Sequence, residues 1–119
     1  MVRTVAAALL SLLASGAAAQ QTSFLLINGT PYPISQLTVS ESYINQWTPN
    51  VLHAPPIKAG ERRQVNFNAP VTYCQADFQV GFADGGPLAF WRNLNICTLS
   101  KIKLVYDRTT GMATASYDE

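Results

Sequence analysis

CQADFQVGF (Cys74–Phe82) is the stretch on which the reading of the fold turns. Cys74, Ala76, Phe78, Val80 and Phe82 are apolar at every second position, and Gln75, Asp77, Gln79 and Gly81 lie between them. Successive side chains of a strand point to opposite faces, so this spacing predicts a strand with one face in a core and the other turned outward. Asp84-Gly85-Gly86 follows at once. Glycine reaches positive φ without a Cβ clash, which makes Asp-Gly a tight-turn signal. Pro87 to Trp91 is then the expected hairpin partner, with Leu88 and Phe90 facing the core and Asn93-Leu94-Asn95 ending it. Asp77 falls on the outward face, where solvent or an arginine such as Arg92 would meet it.

Working outward, the same period recurs in short pieces. Phe24-Leu25-Leu26-Ile27-Asn28 reads as a first strand, closed by Asn28-Gly29-Thr30-Pro31-Tyr32-Pro33, where two prolines remove ladder donors. Leu37-Thr38-Val39-Ser40 alternates, and Ile34 lies out of phase with it, which a bulge near Ser35 would correct. Arg62 to Phe67 places Val65 and Phe67 inward. Ile102, Leu104 and Tyr106 alternate with polar residues, and Asp107-Arg108-Thr109-Thr110-Gly111 turns the chain into a last strand, Met112 to Tyr117. About seven short strands with turns every 8–12 residues and no amphipathic helix predict an all-β fold, an antiparallel β-sandwich with a small barrel as the alternative.

The first nineteen residues are of another kind. Arg3 is followed by an uncharged apolar run, Val5 to Ala14, and then by Ser15 to Ala19, small residues ending in Ala-x-Ala. This is the layout of a secretory signal peptide, with cleavage expected after Ala19. The run is too short for a bilayer core, which needs about 20 apolar residues. The expected organisation is a signal peptide at 1–19 and a single β-sandwich domain at 20–119, exported to the periplasm or the medium. Arg3 leaves with the signal, so seven basic residues face seven acidic ones. Without a cluster of Lys and Arg, nucleic acid is set aside as a partner, and no membrane span is expected in the mature chain.

A domain of that size buries only about 60–68% of its unfolded surface and gains from a covalent aid. Cys74 and Cys97 are the only cysteines, and an oxidising compartment would join them. Closing a loop of about 24 residues is worth roughly 3 kcal/mol in the chain-entropy model. A metal site would need more ligands than one histidine and two cysteines without Cys-x-x-Cys spacing. No cofactor is expected.

The pattern Phe24, Asn28, Thr30, Ile34, Leu37, Val39-Ser40, Trp47, Leu52, Gly60, Cys74-x-Ala-Asp77-Phe78-x-Val80-x-Phe82-x-Asp84-Gly85 and Asn95-Ile96-Cys97 resembles a group of small exported bacterial β-sandwich proteins of uncharacterised function. The likeness runs from Phe24 to about Leu104. It implies compartment and fold and carries over no activity. Members of that group often hold acidic residues and a glycine around the equivalent of Trp47. Glu41 to Asn50 is nearly neutral here, which weakens any cation-binding role for that loop.

Chemistry-bearing residues are few. His53 is the only histidine, hence the only ready base near neutrality. A hydrolytic or metal-assisted enzyme would pair it with Asp77 or Glu41. Asp77 and Asp84 could form a carboxylate pair, although Asp84 is explained by turn chemistry. Asn28-Gly29-Thr30 matches a glycosylation sequon, but Asn-Gly ending a strand is the simpler reading. The connection from Glu41 to Gly60 is long for a loop without elements of its own, and such loops are functional or pinned by their own side chains. Tyr43, Trp47, His53 and Trp91 form the candidate binding surface, with Tyr32 a further aromatic. The leading expectation is a non-enzymatic exported domain that binds a protein or small-molecule ligand through the 41–60 loop. A His53-based enzyme and a purely structural envelope protein are the alternatives.

Overall fold

A computed structural model describes residues 23–67 and 71–118. The expected signal peptide and its cleavage site lie outside the described residues. Among the described residues seven strands form: β1 (Ser23–Asn28), β2 (Ile34–Glu41), β3 (Arg62–Asn66), β4 (Gln75–Phe82), β5 (Ala89–Asn95), β6 (Lys101–Asp107) and β7 (Met112–Asp118). They make two sheets, ordered β3-β1-β6-β7 and β2-β4-β5. Among the described residues there is no helix long and apolar enough to cross a membrane.

The core lies between the sheets, with Phe24, Leu26, Ile102 and Leu104 from the larger facing Leu37, Val39, Phe78 and Val80 from the smaller. Phe24 stacks on Phe78 at 5.5 Å between ring centroids. Burying each such side chain contributes about 1.5–3 kcal/mol. The bulge expected near Ser35 is present, as a register shift between Ile34 and Gln36 against β4. One pairing departs from the antiparallel expectation: β1 runs parallel to β6. The chain makes the whole second sheet between these two strands, a crossover long enough for a parallel pair.

β5 corrects the sequence reading twice. It continues through Leu94 to Asn95, and its facing is inverted. Ala89 and Trp91 are buried, whereas Leu88 and Phe90 are 47% and 38% exposed. Both phases of Leu88–Trp91 are apolar, so alternation alone could not choose. Pairing chooses, because directly opposed residues share a face. Trp91 stands opposite Phe78 and Ala89 opposite Val80, both core residues, while Phe90 stands opposite outward Gln79.

The disulfide forms as expected, Cys74–Cys97 with Cα atoms 5.0 Å apart. Cys74 is exposed and precedes β4 rather than beginning its core face, and Cys97 follows β5. The bridge therefore locks the open end of the β4–β5 hairpin, beside the Gln75–Asn95 pair. Asn28 ends β1 fully buried. Its amide donates to the carbonyls of Tyr32 and Ile57, and its Oδ1 accepts from Thr30 N and Oγ1. That network fits the turn reading of Asn28-Gly29-Thr30.

The 41–60 connection is pinned along an edge. Thr48 N and Val51 N donate to the carbonyls of Val39 and Leu37. Thr48 Oγ1 and Asn50 Oδ1 accept from Val39 N and Leu37 N. Further on, Ile57 bridges Ile34. Residues 48–57 thus shield β2's unpaired backbone groups, which would otherwise invite association with another chain.

Candidate functional site

At Asp77 the smaller sheet ceases to be regular. The β4–β5 pairing shifts between Ala76 and Phe78, so Arg92 and Asn93 both stand opposite Asp77. Asn93 absorbs the extra residue at φ 63°, a left-handed conformation that asparagine tolerates better than most residues. Asp77 holds the bulge together. Its carboxylate accepts from Asn93 N at 2.9 Å, from Arg92 Nη1 at 2.6 Å and from Tyr43 N at 2.9 Å. The Ser42 hydroxyl faces the same carboxylate without closing a hydrogen bond of standard geometry.

Alternation puts Asp77 on the outward face, as expected, yet it is not solvated: its exposure is 0%. The start of the 41–60 connection folds back over that face. Gln46 N donates to Ser40 Oγ, and Ser40 is also fully buried. Burial pushes the Asp77 carboxyl up, but the hydrogen bonds from the Tyr43 and Asn93 backbone and from Arg92, with the Ser42 hydroxyl close by, outweigh it and hold the group below the usual aspartate range.

The fold-back is sharp. Tyr43 and Asn45 take φ of 65° and 58°, at a cost of about 1–2 kcal/mol for a left-handed residue with a Cβ. Strain of that kind persists only where the surroundings over-determine it. Here the Tyr43 N–H bond to Asp77 does so.

The result is a continuous row of side chains over the outer face. The Arg92 guanidinium carbon lies 5.5 Å from the Tyr43 ring centroid and 5.3 Å from that of Phe90. Phe90 and Trp47 follow at 6.0 Å between centroids. Tyr43 is 67% exposed, Phe90 38%, and Trp47 half-buried. Arg92 uses one N–H on Asp77, and its other donors have no protein partner among the described residues. Beside the row, Thr38 Oγ1 donates to Gln79 Oε1 on the same face.

Of the four residues of the candidate surface, the structure brings two together, Tyr43 and Trp47. Trp91 is buried at 3% exposure, donates from Nε1 to the Thr114 carbonyl at 2.8 Å and meets Tyr106 edge-on. It belongs to the core because it shares a face with Phe78. His53 is exposed and keeps company with β3: Arg63 donates to its carbonyl. It rims a shallow depression with Leu52, Arg63, Gln64 and Asn66, which no carboxylate lines. Among the described residues no ion pair links His53 to Asp77 or Glu41. Asp77 and Asp84 do not form a pair, since each is held by its own arginine, Arg92 and Arg108. No group of three or more His, Cys, Asp or Glu among the described residues converges as metal ligands would.

Sequence reasoning missed Phe90 and Arg92 as members of the site. The signal was present in the Asp77–Arg92 pairing it did anticipate: an arginine one residue after Trp91 reaches Asp77 only if Trp91 faces inward and Phe90 outward.

No family model matches the chain, and no curated protein matches it either. Among solved structures, an NMR structure of a protein from Eubacterium rectale is similar, with a TM-score of 0.52 at 11% identity, covering 84% of this chain and 90% of that one. At that identity the likeness concerns the fold alone.

Proposed function

We propose that this chain is an exported, non-catalytic β-sandwich domain, acting in the periplasm or outside the cell, that binds a ligand with a flat apolar face along Tyr43, Arg92, Phe90 and Trp47. The observation that carries the reading is the row itself. Three aromatic rings and a guanidinium lie in mutual contact on an outer sheet face, where alternation ordinarily leaves separate polar residues. Their placement is bought with a buried carboxylate and left-handed residues, a concentration of strain typical of sites. The Cys74–Cys97 bridge fits an oxidising compartment.

Amide-resolved NMR of the disulfide-bonded chain tests this. The probes are a set of soluble oligosaccharides, small aromatic compounds and short peptides. Shift changes that cluster on Tyr43, Trp47, Phe90, Arg92 and Asn93 are expected for at least one probe class. Changes that gather instead around His53, Arg63 and Asn66, or nowhere, would overturn the reading.

A further inference from the structure

The row's surroundings narrow the ligand class. Its one cation is neutralised: Arg92 sits 2.6 Å from a fully buried carboxylate. Among the described residues the other basic ones belong elsewhere: Lys58 at the turn it makes with Glu61, Arg62 and Arg63 on β3, Lys101 and Lys103 on β6, and Arg108 in its pair with Asp84. An anionic ligand would find no net positive field to draw it. A cationic ligand would compete with Arg92, which already occupies the space between the Tyr43 and Phe90 rings.

An extended peptide could in principle add to the free edge of β5. The bulge at Arg92–Asn93 interrupts that edge, and bulges of this kind blunt edges against pairing. What remains is aromatic faces beside neutral hydrogen-bonding groups. Asn45 and Gln46 lie in the fold-back between Tyr43 and Trp47, Asn93 adjoins Arg92, and Gln79 stands opposite Phe90.

Resting on the binding reading above, we infer that the ligand is a neutral oligosaccharide. The C–H faces of successive sugar rings stack on Trp47, Phe90 and Tyr43, and the unpartnered donors of Arg92 take hydroxyl oxygens. Trp47 and Phe90 lie 6.0 Å apart between centroids with their planes tilted by 55°, and the Arg92 guanidinium stands between Phe90 and Tyr43, so the rings offer separate stacking faces with hydrogen-bond donors beside them. Stacking of this kind is modest per ring, so losing one ring weakens binding by about two- to tenfold. A neutral ligand offers no charge for salt to screen, so affinity is flat in salt.

The experiment is affinity electrophoresis of the oxidised full chain in native gels containing soluble glucan, xylan, mannan or galactan, with polygalacturonate as the acidic counterpart. Retardation by at least one neutral polysaccharide is expected. It should weaken in Phe90→Leu, which keeps apolar volume but removes the ring, and in Trp47→Ala, and persist in His53→Ala. It should also be unchanged between about 50 and about 500 mM salt. No retardation in any neutral gel, or retardation by polygalacturonate alone, overturns the saccharide assignment. If aromatic or peptide probes still shift the Phe90 and Arg92 amides by NMR, the row remains a binding site and only the ligand class falls. If no probe shifts them, both fall together.

Discussion

The β4–β5 hairpin carries an aspartate–arginine pair toward each end, and the two pairs are built in opposite senses. At the open end Asp77 is the buried partner, with side-chain exposures of 0% for Asp77 and 38% for Arg92. At the turn end the arginine is the more covered partner, 25% for Arg108 against 43% for Asp84. Arg108 lies 3.6 Å over the Tyr32 ring and 5.2 Å from Phe82, and grips Asp84 through both Nη atoms at 2.7 and 2.8 Å. Its aromatic neighbours continue inward, Phe82 stacking on Tyr106 at 5.8 Å. The arginine of this pair closes one end of the sandwich, joining the β4–β5 turn, the β6–β7 turn and the β1–β2 connection. The arginine of the other pair is held up among exposed rings. What differs is which partner is sunk into the protein. A sunk carboxylate presents its cation to solvent, and a sunk cation plugs the fold.

The largest effect should come from removing the sunk carboxylate. Asp77→Ala strands the N–H groups of Tyr43 and Asn93 and frees Arg92, which should cost about 3–5 kcal/mol in urea unfolding. A loss below about 1 kcal/mol would mean the carboxylate does not organise the bulge, and the contrast between the ends would collapse. Breaking the bridge beside it comes next. The double variant Cys74→Ala, Cys97→Ala should lose about 3 kcal/mol, since the crosslink closes 23 residues of sequence separation at the hairpin's open end.

The turn end responds to acid and to crowding. Hydrogen bonds from Arg108, then from Gly86 N, lower the Asp84 carboxyl to about 2 from 3.8. A carboxyl lowered in the folded state stabilises it above the unfolded value, and that stabilisation is lost as pH falls through the folded one. The Asp84 contribution should therefore disappear between pH 3.8 and about 2, visible as a melting temperature that falls across this window in the wild type and more shallowly in Asp84→Asn. Gly86→Ala is a milder challenge to the same clasp. Its Cβ would run into the Arg108 guanidinium, which must shift against Asp84 to make room. A small drop in melting temperature with the Tyr43 and Phe90 amide signals unmoved would show that the two ends are independent.

How much of this could be read in advance follows the same division. The alternation of Ala76, Phe78, Val80 and Phe82 and the Asp84-Gly85 turn are local signals, and strand, turn and disulfide were legible from them. The facing of β5 was not, because Leu88, Ala89, Phe90 and Trp91 are apolar in both phases and only pairing with β4 breaks the tie. The burial of Asp77 was hidden for a related reason. Period two says which face a residue takes, not whether a distant segment folds over it, and Ser40 to Gln46 does so through contacts up to 34 residues apart. Arg108 reads as an ordinary turn residue, since Tyr32 and Phe82 come to it from other parts of the chain. A site assembled across a bulge and a fold-back leaves little trace in any one window of sequence.

The smallest stability effect should belong to the residues of the row, and it separates site from scaffold most cleanly. Phe90 and Trp91 are adjacent aromatics on one strand, one 38% and the other 3% exposed. Trp91→Ala removes a core ring and leaves the Thr114 carbonyl without its donor, so it should cost about 3–5 kcal/mol. Phe90→Ala removes a ring that water already reaches and should cost about 1 kcal/mol or less. Ligand binding should invert the order. Phe90→Ala should lose it while remaining folded, and a conservative Trp91→Phe should keep it despite a lowered melting temperature. If Phe90→Ala proved as destabilising as Trp91→Ala, the row would be a second, outward core covering the bulge. The open end of the hairpin would then be closed in the same sense as the other.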